Sequence, residues 1–280
     1  AAAIAAEQGH EVEVFEKNEK LGKKLFITGK GRCNLTNACD MEELFESVCT
    51  NAKFLYSAFY GFTNQDTIHF FEEAGLRMKT ERGNRVFPLS DHSSDVIRTL
   101  ERAMKKQGVV IKLHTQVKGL LIEKNQVCGV NLVDGTPVKA DHVIVATGGL
   151  SYASTGSTGD GHRMARELGH TVTPCFPALV PVNTKEDWCR TLQGLSLKNV
   201  TFTVKDGKKK LYEDFGEMLF THFGISGPLV LSASSKIVKK LDKNPLSAFI
   251  DLKPALTDEQ LDARLLRDFS QEKISSLKMH

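Results

Sequence analysis

This chain predicts an α/β fold of the dinucleotide-binding kind, and three observations carry that expectation. The opening "AAAIAAEQGHEVEVFEKN" reads as a helix, a glycine and a short strand closing on Glu16. Four runs at 109–113, 117–123, 127–133 and 143–146 are rich in β-branched residues and follow a helical segment. The last of these enters "ATGGLSYASTGSTGDGHRMARELG", a Gly/Ser/Thr-rich loop placed between a buried strand and a helix.

Each element follows from its residues. The alanines of 1–8 favour helix, Gly9 suits the position after a helix end, and 11–15 alternate polar with apolar. That is the second half of a βαβ unit. In such units an acidic residue ends the strand, where its carboxylate accepts both hydroxyls of a nucleotide ribose, and Glu16 is so placed. A surface glutamate after an edge strand is the other reading. The glycine fingerprint would fall before Ala1, so a strand and fingerprint are expected upstream. Residues 42–60 and 66–74 predict helices, and Gly83-Asn84 predicts a hairpin turn. Residues 90–94 offer several N-caps for a helix with Val96, Ile97, Leu100 and Met104 on one face, ending before Gly108. The strands at 117–123 and 127–133 meet in a turn near Asn125, and a helix is expected at 161–168. Further on, "LKNVTFTVKDGKKKLY" predicts a hairpin, and Thr257 caps an amphipathic helix beginning "TDEQLDARLL".

Composition narrows the classes. With 41% hydrophobic and 25% charged side chains over 280 residues, the chain can fill one large core or two smaller ones. A net charge of +3 is too small for a strongly basic nucleic-acid protein, although it leaves room for a local basic patch. No apolar run approaches the roughly 18 residues of a membrane span, and the opening residues lack a signal-peptide pattern, so a cytoplasmic protein is expected. The six cysteines form no CxxC pair and no zinc-type spacing, which predicts reduced thiols and no metal.

Three segments resemble one known family: "GHEVEVFEKNEKLGKKLFITGKGRCNLTN", "VIVATGGLSYASTGSTGDGHRMARELGHTVTPCFPALVPV" and "GEMLFTHFGISGPLVLSAS". Together, in this order and spacing, they resemble the BaiN/RdsA-type family of FAD-dependent oxidoreductases, bacterial flavoproteins. The resemblance implies a Rossmann-like FAD-binding domain over 1–180, part of an inserted β-barrel-like domain over 181–253 and the start of a helical subdomain over 254–280. It implies FAD as cofactor and NAD(P)H as electron donor. It also implies an unsaturated carbon centre as substrate, in rRNA uridine or a small molecule such as a bile-acid intermediate; some members are oxidases of small amines. A noncatalytic FAD-bound RNA-binding or assembly factor is the alternative outside enzymology. The family's terminal segments are absent, so only part of the FAD site is expected here.

The cofactor-binding set implied by the resemblance is Glu16, Lys17, Lys24, Thr28, Gly29, Gly31, Arg32, Cys33, Asn34, Asn37, Val117, Thr147, Gly148, Gly149, Gly159 and Asp160. Chemistry agrees for several of these: Lys24 and Arg32 can offset diphosphate charge, and Thr28 with the glycines offers hydroxyl and N–H donors. Asn34 and Asn37 either donate to the isoalloxazine carbonyls or cap a turn. Cys33 is either a packing or flavin-contact residue or a redox thiol; Cys39, six residues on, is not at redox-pair spacing. His222 is a structural histidine or a proton donor, and Arg85 with Arg82 faces an anionic substrate or solvent. The three lysines of "DGKKKLYEDFGE" form a solvated turn or an RNA-contacting tip.

Overall fold

The computed structural model describes residues 1–270; residues 271–280 of the expected helical subdomain lie outside the described residues. Two compact units divide the chain, Ala1–Thr173 and the residues from Pro174 onward.

In chain order the first unit contains helix α1 (Ala2–Glu7), strand β1 (Glu13–Phe15), α2 (Lys23–Ile27), β2 (Thr36–Asn37), α3 (Met41–Glu46), α4 (Tyr56–Gly61) and α5 (Asn64–Glu73). Strands β3 (Met78–Glu81) and β4 (Arg85–Pro88) follow, then α6 (Ser93–Lys106), β5 (Val110–Lys112), β6 (Val117–Glu123), β7 (Gln126–Leu132), β8 (Pro137–Lys139) and α7 (Asp160–Glu167). β1 and β5 pair in parallel, with Val14 opposite Ile111. A three-stranded antiparallel sheet runs β2-β4-β3, and another runs β6-β7-β8. The expected hairpins close where they were read: Asn84 turns β3 into β4 at a left-handed φ of 56°, and Lys124 and Asn125 turn β6 into β7 at 51° and 64°.

A small core holds this unit together. Cys33, Phe71, Leu76 and Val96 are buried in one cluster, with Leu25, Leu35, Phe70, Met78 and Leu100 packed around it. The stripe read on α6 faces inward through Val96. Burying such a side chain contributes about 1.5–3 kcal/mol. α5 begins with a reciprocal capping box in which Thr63 and Asp66 satisfy each other's backbone N–H.

Three local expectations are corrected. The helix read over 42–60 is broken between α3 and α4, because Val48 and Thr50 are poor helix formers and Asn51 adopts a left-handed φ of 57°. α6 starts after His92 with no side-chain cap bond; the hydroxyl of Ser93 is spent on the carbonyl of Phe26, 2.8 Å away. Residues 143–146 form no ladder. A strand is made by its neighbour, and no described strand pairs with this segment, so Ile144 and Val145 stand 68% and 44% exposed.

The second unit contains β9 (Val182–Asn183), α8 (Trp188–Thr191), β10 (Ser196–Asp206), β11 (Lys209–Thr221), β12 (Gly224–Ser226), α9 (Pro228–Leu241), β13 (Ser247–Asp251) and α10 (Asp258–Ser270). Its five strands form one antiparallel sheet in the order β13-β10-β11-β12-β9. The long β10–β11 hairpin pairs Asp206 with Lys209 across a two-residue tip, Gly207-Lys208. α9 covers the sheet and shares one core with it: Leu229, Val230, Ala233 and Ile237 meet Val200, Phe202, Val204, Met218 and Phe220. α10 opens on a Thr257/Gln260 capping box. No helix among the described residues is long and apolar enough to cross a membrane.

Candidate functional site

The carboxyl end of β1 is where backbone and side chains converge. The Glu16 N–H continues the parallel ladder to the Lys112 carbonyl at 2.9 Å, and the Glu16 carbonyl accepts from Thr115 N–H. The Glu16 carboxylate therefore leaves a fixed strand end. Its Oε1 accepts from both Asn18 N–H, at 2.8 Å, and Asn18 Nδ2, at 2.7 Å. Oε2 has no partner among the described residues, so one carboxylate oxygen is available to accept hydrogen bonds from a bound hydroxyl.

Three side chains from this corner hold the Gly/Ser/Thr-rich loop. Lys17 Nζ donates to Thr158 Oγ1 and to Asp160 Oδ2, both at 2.8 Å. Asn18 Nδ2 donates to the Thr155 carbonyl at 3.2 Å. Lys24 Nζ donates to the Ser151 carbonyl at 2.5 Å and to its hydroxyl at 3.1 Å. The Lys17 ammonium, then Thr158 and Arg163, hold the Asp160 carboxyl below its ordinary value against the opposing effect of burial. Gly148 is needed for the loop's path: its φ is +74°, and a Cβ there would lie 2.6 Å from the buried Ser157 hydroxyl. The Gly159 N–H bonds to the Gly149 carbonyl at 3.1 Å and fixes the entry to α7. Thr147, at the loop's start, is exposed.

The stretch "ITGKGRCNLTN" is a tight, strained coil. Gly29, Lys30, Gly31 and Cys33 all have φ between 55° and 87°. Glycine at 29 is required twice over, since a Cβ would also approach the Asn34 backbone nitrogen to 2.9 Å. The Thr28 hydroxyl closes back on the Leu25 carbonyl. Arg32 is engaged with protein groups: it ion-pairs Glu81 at 2.5 Å and Asp91 at 2.6 Å, and its guanidinium lies 4.1 Å over the Phe87 ring. Lys79 joins the same two carboxylates, at 2.6 Å from Asp91 and 3.4 Å from Glu81. Cys33 is buried among Phe71, Leu76 and Val96. Asn37 acts as a turn cap, its Nδ2 donating to the Gly83 carbonyl and its Oδ1 accepting from Cys39 N–H. The Asn34 side chain is exposed.

Of the remaining candidates, Val117 follows the segment His114–Thr115 that bonds the Asn18 and Glu16 carbonyls, and the others lie on β4 or in the other unit. Val117 starts β6 opposite Leu132. Arg85 starts β4, exposed, with Nε bonded to the Arg82 carbonyl. His222 belongs to the second unit, exposed in the turn between β11 and β12, its ring edge-on to Phe223 at 4.8 Å. Sequence reading missed Asn18, Ser151, Thr155 and Thr158, which complete the corner, and Lys79, Glu81 and Asp91, which hold Arg32. The only local signal was Asn18, a turn-former two residues after the strand-ending acid; the other partners come from remote sequence.

Comparison with known proteins fits this architecture. A family profile described as the HI0933-like protein Rossmann domain matches residues 1–227, and one described as the HI0933-like protein barrel and H2TH domain matches residues 176–280. The chain is 34% identical over 267 residues to the 3-dehydro-bile acid delta(4,6)-reductase of Clostridium scindens, a match covering 93% of this chain and 63% of that protein. It is 33% identical over 238 residues to the ribosomal RNA dihydrouridine synthase of Haemophilus influenzae, covering 84% of this chain and 57% of that one. The Escherichia coli ribosomal RNA dihydrouridine synthase is 28% identical over 233 residues, covering 83% and 56% respectively. The chain thus spans less than two thirds of each of these relatives. With an α/β nucleotide-binding layout followed by a β-rich unit, and with profile matches reaching across both, the chain belongs to the HI0933-like family.

Proposed function

We propose that this chain forms the adenosine-binding side of an FAD-dependent oxidoreductase that passes hydride from NAD(P)H to an unsaturated carbon centre of its substrate. The observation that carries the reading is Glu16. Its carboxylate is held by Asn18 through one oxygen and presents the other, without a partner among the described residues, at the end of a parallel strand beside a glycine loop. Those residues fit a dinucleotide. Glu16 Oε2 would accept the ribose hydroxyls, and Gly148 and Gly149 would let the main chain approach the ligand closely. Lys17, Asn18 and Lys24 keep the loop closed against β1. When bound, FAD supplies the two-electron hydride chemistry, while the protein supplies orientation and electrostatics. The names of the relatives support reduction as the reaction, with a bile acid derivative or ribosomal RNA as substrate classes. A cytoplasmic setting belongs to the same reading, since the six cysteines form no redox-pair or zinc-type spacing.

Glu16→Gln tests the proposal. The amide keeps an acceptor for Asn18 but replaces the charged oxygen that would face the ribose, and hydrogen bonds to charged groups are worth about 1.5–3 kcal/mol. FAD affinity, followed by flavin fluorescence, should fall about 10- to 150-fold, each 1.4 kcal/mol being a factor of ten. FMN, which lacks the adenosine, should bind the variant and the wild type alike. FAD affinity unchanged within twofold would remove Glu16 from the site and the reading with it.

A further inference from the structure

The first unit carries a second concave site, which shares no residue with the corner at Glu16. Where α5 ends, Gly75 takes a left-handed φ of 83°, and two backbone bonds close the turn: Gly75 N–H to the Glu72 carbonyl at 2.9 Å and Leu76 N–H to the Phe71 carbonyl at 2.8 Å. Leu76 is thereby returned to the core, and Arg77, the residue before β3, is left exposed. The Arg77 carbonyl accepts from Leu89 N–H at 2.8 Å, which ties this backbone to the end of β4. α6 passes alongside with Arg98, Arg102 and Lys105 spaced i, i+4 and i+7, on one face of the helix. Between the two segments lies an open cleft of about 740 Å³, lined by these four cations and by Asp95 and Glu101. The cations are not equivalent. Arg98 is ion-paired with Asp95, and Lys105 with Glu101 at 2.7 Å, so both carboxylates are spent within α6. Arg102 bonds only the buried Thr99 hydroxyl, at 3.3 Å, and the Arg77 side chain has no partner among the described residues. A single arginine on a convex helix face is a solvated charge and would mean little. Two unpaired guanidinium groups, one fixed by a closed turn and one in mid-helix, leave two positive charges uncompensated in one cleft, where charge of one sign attracts a small anion.

We propose that this cleft binds a small molecule through a phosphate ester held between Arg77 and Arg102. A phosphate ester carries close to two negative charges at pH 7 on three acceptor oxygens around one atom, which balances the two unpaired cations and lets each planar fork make paired bonds. The cleft has the size of a small-molecule pocket and is much larger than a phosphate; Leu76 and Leu89 on its wall leave apolar contact for the organic part. Asp95 and Glu101 on the α6 wall disfavour a chain of phosphates running along it. Nothing in this assignment depends on FAD.

The test is isothermal calorimetry of the 280-residue chain with ribose 5-phosphate, without FAD and in excess FAD, with ribose as the control. Ribose 5-phosphate should bind under both conditions and ribose under neither. R77Q/R102Q should weaken binding by about tenfold or more, whereas K53Q/K185Q, which removes the same two charges from exposed lysines elsewhere, should change it by less than about threefold. No binding of ribose 5-phosphate, or equal loss in both double variants, overturns the proposal. Binding abolished by FAD overturns it too, since the phosphate would then sit at the cofactor corner. Tighter binding of succinate, a dicarboxylate of similar charge, would refute phosphate as the ligand group. An RNA hairpin whose affinity falls in R77Q/R102Q, with no binding of ribose 5-phosphate, would give the cleft to a polyanion instead.

Discussion

Cys33 stands in a glycine-rich loop that invites a catalytic reading, and its surroundings assign it to packing. The thiol is 2% exposed, its backbone N–H is bonded to the Thr28 carbonyl, and Phe71, Leu76 and Val96 surround it. Cys33→Ser keeps the size but buries a hydroxyl among apolar side chains, a cost of about 1–3 kcal/mol. In a unit of about 170 residues each kcal/mol moves the melting temperature by roughly 2–4 °C, so a fall of about 2–12 °C is expected. Cys33→Ala leaves a small void but no unpaired hydroxyl, and it should cost less than serine. The left-handed φ of 59° burdens all three residues alike and cancels from the comparison. Melting curves for both variants decide the order of stability, and thiol labelling decides access: the exposed Cys49 should react in the native protein, and Cys33 only on unfolding. NAD(P)H-driven flavin reduction by Cys33→Ser should stay within about tenfold of wild type, about 1.4 kcal/mol of barrier. Native-state labelling of Cys33 at the rate of Cys49, or a serine variant more stable than the alanine one, would refute the packing assignment.

Gly148→Ala forces a side chain into the left-handed region, at about 1–2 kcal/mol, and drives Cβ onto the Ser157 hydroxyl. Adding Ser157→Ala should recover part of the urea-measured loss; no recovery would show that the loop does not pack as described. Acid should loosen the Arg32 network. Arg32 holds Glu81, and Lys79 with Arg32 holds Asp91, below their ordinary values. Their contribution is therefore present above the ordinary carboxylate range and lost as pH falls through the lowered values. The wild-type melting temperature should drop more on acidification than that of Glu81→Gln/Asp91→Asn, and parallel curves would exclude the linkage. In the second unit, Phe202→Ala should cost about 3–5 kcal/mol by equilibrium unfolding, because the ring is 2% exposed in the shared core.

What sequence could and could not show follows from the range of the forces involved. Hairpin turns, the α6 stripe and the strand ending in Glu16 are set by residues a few positions apart, and all appear where the pattern placed them. Residues 143–146 have the composition of a strand, but strandhood needs a hydrogen-bonding neighbour, which periodicity cannot supply. The same holds for the candidate site. Glu16 and Gly148 were legible because an acid closing a strand and a glycine in left-handed backbone are features of residue type and position alone. The staples Lys17–Asp160 and Lys24–Ser151 join residues more than 120 positions apart, and no local pattern encodes that distance.

Arg32 shows how the same local chemistry can serve two different partners. An arginine between glycines suits a diphosphate, and the same features serve an internal clamp in which Arg32 and Lys79 meet Glu81 and Asp91 over the Phe87 ring. Two cations matched by two carboxylates present no net charge to a ligand, so a phosphate arriving here must first displace a carboxylate. The two roles separate in protein stripped of cofactor. A clamp residue is needed whether or not ligand is present, and removing it leaves two partly shielded carboxylates sharing one lysine, so Arg32→Ala should lower the melting temperature of the apo-protein. Adding Glu81→Gln should restore part of that loss, since it removes the carboxylate left without its arginine. A residue kept for phosphate would leave apo-protein melting unchanged in Arg32→Ala, weaken FAD binding by tenfold or more and gain nothing from Glu81→Gln. That pattern would return "ITGKGRCNLTN" to the role of a phosphate cradle.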